Sequence, residues 1–334
     1  MNPDLELKVG VVIPCFREKS FICGVLEKIP EFVSKVYVID DACPEGTGDH
    51  VESNINQERV IVLRHKTNRG VGGAVLTGYS HAIQDGIKII VKLDGDGQMN
   101  PAHLKSFVDP IVSGDADYTK GNRFYQLRAL KQMPKNRLIG NMLLTFLSKA
   151  SSGYWNIFDP TNGYTAIHSA ILNRLYLGRI STDFFFESDM LCKLGEVRAR
   201  VQDIPMDARY GNEKSSLVVH KIIAPFFYRH SKRLVERLLH NYFLRDFSTA
   251  SIALVLGLFL SGFGIIFGLY QWHSHFLRSE LASVGTVMLA ALPLILGMQF
   301  LFSFINYDIA SVPQQAVHPK ITNDVIDSFK PPIY

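Results

Sequence analysis

The first third of the chain alternates between short apolar runs and longer segments with a helical spacing of apolar and polar positions. The apolar runs at 8–14, 35–40, 59–65 and 87–94 are rich in valine and isoleucine, as is typical of strands buried on both faces. Segments at 19–32, 47–56, 71–86 and 101–113 have the length and pattern of helices. This βαβα order predicts an α/β fold with a parallel sheet between two layers of helices.

The region 115–216 mixes both patterns. Strand-like runs occur in DADYTKGNRF and TNGYTAIHS, and helix-like runs occur at 133–150 and in FFFESDMLCKLGE. From 217 to 245, basic and aromatic residues alternate with aliphatic ones at roughly helical spacing. That pattern is typical of a helix at a membrane surface, and a helix on a solvated or core face is the alternative.

Two later stretches contain no charged residue. They are SIALVLGLFLSGFGIIFGLY at 251–270 and VGTVMLAALPLILGMQFLFSFI at 284–305. Each is long enough to cross about 30 Å of hydrocarbon, so both are predicted to be transmembrane helices. A pair of buried helices in a large soluble domain is the alternative.

Positive charge is distributed unequally around the first of these stretches. The segment that connects the two contains only Arg278, whereas the segment before the first contains Lys221, Arg229, Lys232, Arg233, Arg237 and Arg245. The positive-inside rule therefore predicts a multi-pass protein of the plasma (inner) membrane with its large N-terminal part in the cytoplasm. The predicted organisation is a cytoplasmic domain at 1–216, basic amphipathic juxtamembrane helices at 217–248, two membrane helices within 249–306 and a cytoplasmic tail at 307–334.

Composition excludes several classes of protein. With 334 residues, of which 47% are hydrophobic, the chain can bury a large core, and a net charge of +4 gives no reason to expect a nucleic-acid partner. The cysteines form no CxxC pair and no metal-type spacing with histidine, so we expect reduced thiols: Cys15, Cys23, Cys43 and Cys192. The first ten residues are acidic and lack an apolar run, so we expect no signal peptide.

Acidic residues concentrate where the predicted strands end. Asp40 and Asp41 follow the second strand, and Asp94 and Asp96 follow the fourth, within VKLDGDGQMNP. The carboxyl ends of parallel strands meet at one edge of a sheet, so these four carboxylates should converge there. Carboxylates that converge repel one another unless a cation joins them, and Mg²⁺ typically takes one or two carboxylates together with phosphate oxygens. A polar turn is the simpler alternative for this segment.

The stretch NRGVGGAVLTG contains a glycine-rich turn but no nucleotide-binding fingerprint. Val75 stands where the third glycine of G-x-G-x-x-G belongs, and no GK[ST] follows, so neither a dinucleotide loop nor a P-loop is predicted. A glycine turn that begins a helix remains, and its amides could face a phosphate.

Five motifs together carry a family resemblance. VVIPCFREKS, IDDACPEGTGD, NRGVGGA, LDGDGQ and KGNRF, in this order and at these distances, resemble glycosyltransferase family 2 with a GT-A fold, in its polyprenyl-phosphate (dolichol-phosphate mannose synthase-like) branch. The resemblance covers about residues 8–216, and the two apolar stretches resemble those of bacterial membrane-anchored members. It implies a Rossmann-like, mostly parallel sheet and inverting transfer of a sugar from a UDP- or GDP-linked donor to polyprenyl (undecaprenyl) phosphate, with Mg²⁺ or Mn²⁺, in cell-envelope glycan biosynthesis.

The resemblance also implies roles for individual residues. Asp94, Asp96 and Gln98 would hold the metal ion and the donor diphosphate. The acceptor phosphate would bind at Arg123, Arg137 and Asn141, and the catalytic set would be Asp94, Asp96, Arg123 and Arg137. The remaining donor-binding positions implied are Pro14, Phe16, Glu18, Ile39, Asp40, Asp41, Gly95, Arg209 and Lys214.

The sequence departs from the family pattern at three places. Arg17-Glu18 replaces the usual N-E, Ala42-Cys43 replaces a more polar pair, and Glu187-Ser188-Asp189 replaces the E-D pair with which many inverting relatives deprotonate an acceptor hydroxyl. The Q-x-x-R-W motif of processive polysaccharide synthases is absent.

A lipid phosphate is already an anion near neutral pH and needs no base, which suits a chain without the E-D pair. Transfer to a hydroxyl of a lipid-linked glycan, with Asp189 or Glu187 as base, is the alternative. A non-catalytic membrane scaffold with the same fold is a further one. The sequence leaves the oligomeric state open, although relatives of this kind often assemble as homo-oligomers through their membrane helices.

Overall fold

The computed structural model of the chain describes residues 8–125, 135–206 and 219–321, without the side chains of 135–139, 141 and 219–223. These residues form two compact units. The first is built from the chain up to Arg233 and from the segment that begins at Pro313, and the second is Leu234–Val312.

A seven-stranded mixed sheet forms the centre of the first unit. Its strands are β1 (Val9–Cys15), β2 (Val33–Asp40), β3 (Val60–Arg64), β4 (Ile89–Lys92), β5 (Tyr118–Asn122), β6 (Thr165–His168) and β7 (Val201–Pro205). The spatial order is β3-β2-β1-β4-β6-β5-β7. Only β6 runs antiparallel to its neighbours, so the prediction of a mostly parallel α/β sheet is confirmed.

Helices connect these strands and continue beyond them. They are α1 (Ile22–Leu26), α2 (Thr47–Asn54), α3 (Gly70–Gln84), α4 (Leu104–Val112), α5 (Lys135–Ser152), α6 (Ser169–Leu172), α7 (Phe186–Glu196), α8 (Val219–Leu239), α9 (Thr249–Arg278) and α10 (Val284–Ala310). The four strands and four helices predicted for the first third all occur, although the helical part of 19–32 is only α1.

The first sheet strands are apolar because both of their faces are covered. Every residue of β1 and of β4 is buried, and one face of these strands joins a continuous core with α1 and α4 through Val9, Val11, Ile13, Ile89 and Val91. Burial on both faces leaves only the strand ends and the following loops in contact with solvent. The polar loops therefore collect at the carboxyl edge of the sheet, where the candidate site lies.

The glycines in the first turn of α3 serve close packing. A Cβ on Gly72 would lie 2.5 Å from the carbonyl oxygen of Ser181, and the amide of Gly73 donates to the carbonyl of Thr182 at 3.2 Å. The glycines thus let the start of α3 approach the segment before α7, and the Gly73 amide is not open to a phosphate.

Residues after the second apolar helix return to the first unit and bind a buried carboxylate. Asp117, at the start of β5, is fully buried and accepts hydrogen bonds from the amides of Val317 and His318, each at 2.8 Å. It also accepts from the ring of His318 at 2.8 Å and from the amide of Arg200 at 2.8 Å. The ring of His318 stacks on His168 with 4.3 Å between centroids.

The second unit is a helical hairpin. Its helices α9 and α10 are long and apolar enough to cross a membrane, and only 28% and 11% of their most apolar windows are buried. Core helices of a soluble domain are mostly buried, so this exposure favours the membrane interpretation. The helices approach closely where glycine is present, because a Cβ on Gly264 would lie 2.9 Å from the carbonyl oxygen of Ala290. Beside the hairpin, Arg237 forms a buried ion pair with Asp308 at 2.6 Å, and Tyr242 donates to the same carboxylate.

Two basic residues of the segment predicted to lie at a membrane surface have protein partners, and the interfacial position of that segment remains a prediction. In the first unit Arg229 pairs with Asp183 at 2.7 Å and Arg233 pairs with Asp189 at 2.7 Å. These two charges attach the first part of α8 to the segment around α7, which the spacing of residues along the sequence did not indicate.

Candidate active site

The strands β1, β2 and β4 are neighbours in the sheet, and an acidic loop follows each of them. These loops therefore gather at the carboxyl edge of the sheet, as the sequence predicted. The loop after β4 contains Asp94, Asp96 and Gln98. The amide of Gln98 donates to Asp96 Oδ1 at 2.9 Å, and Gly97 has φ +75°, a backbone conformation that glycine adopts readily. The turn thus fixes the Asp96 carboxylate close to its own backbone.

Glu18, in the loop after β1, lies close to these acids. A Cβ on Gly95 would collide with the Glu18 carboxylate, so any larger residue between Asp94 and Asp96 would force Glu18 to move. Burial, followed by the charges of Asp94 and Asp96, raises the pKa of Glu18 to about 9. Its Oε2 atom is buried and accepts no hydrogen bond. An acid whose pKa is raised by two neighbouring carboxylates, and whose buried oxygen is unsatisfied, marks a place that a bound cation would stabilise.

These residues suit a divalent cation that is shared with a phosphate ligand. Within the described ranges, no three His, Cys, Asp or Glu side chains are grouped as a protein-only metal site. The four carboxylates at 40, 41, 94 and 96 therefore do not form one metal-binding cluster. Two carboxylates, Asp94 and Asp96, are enough for Mg²⁺ or Mn²⁺ when diphosphate oxygens and water fill the other positions.

The two acids after β2 organise their own loop. Asp40 accepts from the amides of Cys43 and Gly48, each at 2.7 Å, which holds the turn into α2. Asp41 accepts from the ring of His65 at 2.6 Å and from the amide of Arg69 at 2.8 Å. Both carboxylates are thus satisfied by the protein, and their predicted contact with the donor remains a prediction.

The departures from the family pattern occur where the backbone is unusual. Arg17 and Ala42 have φ +65° and +54°, a left-handed region in which asparagine is more common than either residue. The amide of Arg17 donates to Cys43 Sγ at 3.2 Å, which links the two loops. Strained backbone of this kind is often found at binding sites.

Three other predicted donor positions differ in exposure. Phe16 is 41% exposed at the edge, with the guanidinium of Arg17 5.4 Å from the centre of its ring. Pro14 and Ile39 face each other across β1 and β2 and are buried. The Ile39 side chain packs against Gly78 of α3, so it belongs to the core.

Arg123, which follows β5, is held in a fixed orientation. Its Nε and Nη2 atoms donate to the two oxygens of Asp159 at 2.7 and 2.8 Å, and Asp159 is fully buried with φ +49°. A bidentate pair of this kind fixes the plane of the guanidinium. The side chains of Arg137 and Asn141, and the whole of Arg209 and Lys214, lie outside the described residues.

The two acids considered as possible bases are both paired. Asp189 is fully buried and accepts from the amide and hydroxyl of Ser181, each at 2.8 Å, in addition to its ion pair with Arg233. Glu187 Oε1 lies 3.0 Å from the Nζ atom of Lys92, a residue that the sequence analysis did not single out. The available signal was the position of this lysine inside an otherwise apolar strand.

Comparisons with known proteins agree with this architecture. Residues 10–176, half of the chain, match the family model described as glycosyl transferase family 2. The chain is 26% identical over 204 residues to the undecaprenyl-phosphate mannosyltransferase of Micrococcus luteus, an alignment that covers 60% of this chain and 83% of the relative. It is 27% identical over 181 residues to the UDP-N-acetylglucosamine–dolichyl-phosphate N-acetylglucosaminyltransferase of Methanococcus voltae, covering 50% and 72%.

Among solved structures, the chain is similar to glucosyl-3-phosphoglycerate synthase from Mycobacterium tuberculosis in complex with Mn²⁺, UDP and phosphoglyceric acid. The TM-score is 0.52 at 15% identity, and the alignment covers 69% of this chain and 78% of that one. This likeness confirms the GT-A fold, and the family match confirms the resemblance of the ordered motifs. The chain therefore belongs to glycosyltransferase family 2.

Proposed function

We propose that this protein transfers a sugar, with inversion, from a UDP- or GDP-linked donor to polyprenyl phosphate at the cytoplasmic face of the membrane. The product is a polyprenyl-phosphate-linked monosaccharide. Relatives named as transferases to undecaprenyl and dolichyl phosphate support a lipid phosphate acceptor.

The pairing of Glu187 and Asp189 is the observation that carries this proposal. A general base must reach the proton that it removes and must have an acceptor oxygen available for it. Asp189 is held by Arg233 and Ser181, and Glu187 is held by Lys92. A phosphate acceptor needs no base, whereas a hydroxyl acceptor does, so the pairing favours the phosphate.

The protein residues then bind and align two anionic groups. Asp94, Asp96 and Gln98 would hold a Mg²⁺ or Mn²⁺ ion, which supplies positive charge for the leaving diphosphate. Arg123, oriented by Asp159, is proposed to bind the acceptor phosphate together with Arg137 and Asn141. Arg209 and Lys214 are proposed to close over the donor.

The metal part of this proposal rests on the crowded acids of the described site. The raised pKa of Glu18 and its unsatisfied oxygen are the features that a cation near Asp94 and Asp96 would relieve. The synthase with the similar fold is described in a complex with Mn²⁺ and UDP, which supports the use of a divalent cation with a nucleotide here.

The proposed topology places α9 and α10 across the membrane with both ends in the cytoplasm. The excess of basic residues before α9 supports this orientation. The return of residues 313–321 to the first unit supports it independently, because a segment bound to Asp117 must lie on the same side as the domain that contains Asp117.

The test is transfer of radiolabelled sugar from a panel of UDP- and GDP-sugars to undecaprenyl phosphate in detergent with Mn²⁺. Wild type is compared with D96A and R137A. We expect a lipid-phosphate product that both substitutions abolish, and the productive donor identifies the sugar. Transfer only to hydroxyl acceptors, with R137A unimpaired and a pH profile set by a carboxylate, would replace this proposal with the hydroxyl-acceptor alternative.

A further inference from the structure

A lysine is buried directly beneath the acidic loop. Lys92 is the last residue of β4, after Ile89, Ile90 and Val91, and its side chain is 1% exposed. An ammonium group is rarely buried unless carboxylates compensate its charge, because water solvates it strongly. A lysine in this position therefore has a specific partner.

Two carboxylates share the ammonium group of Lys92. Its Nζ atom lies 2.8 Å from Asp94 Oδ1 and 3.0 Å from Glu187 Oε1. The side chain of Asp94 is 27% exposed and that of Glu187 is 11% exposed. Asp94 is thus the member at the surface of the site, while Lys92 and Glu187 lie below it.

Gly163 lies against the same ion pair. A Cβ at this position would collide with Lys92 Nζ and would lie 2.6 Å from Asp94 Oδ2. A side chain at this point of the loop before β6 would therefore force Lys92 or Asp94 to shift. The Asp94 carboxylate thus contacts the Lys92 ammonium at Oδ1 and lies close to Gly163 at Oδ2.

We propose that Lys92 is a positioning residue that holds Asp94 ready to bind a divalent cation, and that Glu187 is the second counter-ion that keeps Lys92 in place. This inference rests on the proposed function, because it takes Asp94 as a metal ligand. Residues that orient a metal ligand typically contribute ten- to a hundredfold to metal affinity or activity.

Burial distinguishes this role from direct binding of substrate. Lys92 is almost inaccessible and both of its contacts are with carboxylates, so it does not reach a phosphate at the surface of the loop. Glu187 is likewise assigned to the support of the site. A purely structural ion pair would have the same contacts, so the test must measure metal binding as well as stability.

The test measures binding of Mn²⁺ in the presence of UDP by electron paramagnetic resonance of the full-length protein in detergent, which needs no acceptor. The K92M/E187L double variant removes one positive and one negative charge, so the net charge of the site is unchanged. Replacing a buried ion pair by apolar residues of similar volume commonly preserves folding. The matched control is K193M/E196L, which removes the ion pair between Lys193 and Glu196 on the same helix α7.

We expect the Mn²⁺ dissociation constant of K92M/E187L to rise ten- to a hundredfold and that of K193M/E196L to stay within about twofold of wild type. G163A crowds the ion pair but keeps all charges, and it should also weaken Mn²⁺ binding. It replaces K92M/E187L in the test if that double variant does not fold. Wild-type Mn²⁺ affinity in a folded K92M/E187L, or in G163A, would show that Lys92 is structural only.

The same measurement separates this inference from the proposed function. Weakened Mn²⁺ binding in K92M/E187L, with no transfer of sugar to polyprenyl phosphate by wild type, would leave the positioning role in place and reject the acceptor. No UDP-dependent Mn²⁺ binding by wild type would reject Asp94 as a metal ligand and the role of Lys92 with it.

Discussion

Replacing Asp117 with alanine should release residues 313–321 from the first unit. The carboxylate accepts three hydrogen bonds from this segment, which are donated by the amides of Val317 and His318 and by the His318 ring. At about 1.5 kcal/mol for each bond to a charged group, the segment loses roughly 4.5 kcal/mol. This corresponds to an increase of roughly two-thousandfold in the ratio of detached to bound segment.

Hydrogen exchange at the amides of Val317 and His318 measures this release directly. H318A is the graded control, because it keeps both backbone donors and removes only the ring, so exchange should accelerate roughly tenfold. Acid should have the same effect as D117A. Burial opposes ionisation of Asp117, but hydrogen bonds from His318, Arg200 and Val317 lower its pKa below the usual range. The ionised Asp117 carboxylate therefore stabilises the bound segment fully above the unfolded-state pKa of about 3.9, and this stabilisation is lost as the pH falls through the lower folded-state pKa. Unchanged exchange in D117A would refute this account of the segment.

Three further substitutions test the assignments of buried charge. D189A removes the partner of Arg233, so we expect the free energy of unfolding to fall by about 3–5 kcal/mol. The pH profile of the remaining transfer activity should be unchanged. Loss of a carboxylate pKa from that profile would instead identify Asp189 as a base. Burial lowers the pKa of His230 to about 4, so the folded protein should lose stability as the pH falls from about 6.5 towards 4 and the ring must be protonated. In chemical denaturation, the decrease in unfolding free energy between pH 7 and pH 5 should therefore be about 2 kcal/mol smaller for H230Q than for wild type. R123K keeps the charge but loses the bidentate contact with Asp159, so the KM for the lipid phosphate should rise about tenfold. Binding of Mn²⁺ and UDP should be unchanged. An altered Mn²⁺ affinity would contradict the assignment of Arg123 to the acceptor.

Local sequence patterns predicted most of the fold because its first strands are covered on both faces. The apolar runs of β1 and β4, and the charge-free stretches within α9 and α10, are visible without any tertiary information. Strand β7 was missed because Val201–Pro205 contains both buried and half-exposed residues and follows α7 without a clear pattern.

Only the site residues that lie within local sequence motifs could be predicted. The acids at 94 and 96 stand out because they follow a buried strand, but their support comes from distant positions. Lys92 meets Glu187 across 95 residues of sequence, and Asp189 meets Arg233 across 44. Neither pairing leaves a periodic signal, because each depends on which elements the sheet brings together. For the same reason the acids after β2 could not be recognised as satisfied by His65 and by the amides of their own loop.

Asp117 also has a consequence for the order in which the protein matures on the ribosome. Its strand is synthesised early, whereas Val317 and His318 are synthesised after the two apolar helices. Until then, among the described residues outside 313–321, the amide of Arg200 is the hydrogen-bond donor to this carboxylate. On the proposed topology, the first unit is therefore completed only after both membrane helices have been synthesised. A nascent chain whose insertion stalls would then expose an unfinished domain to proteases, so membrane insertion and survival of the enzyme would be coupled through one buried charge.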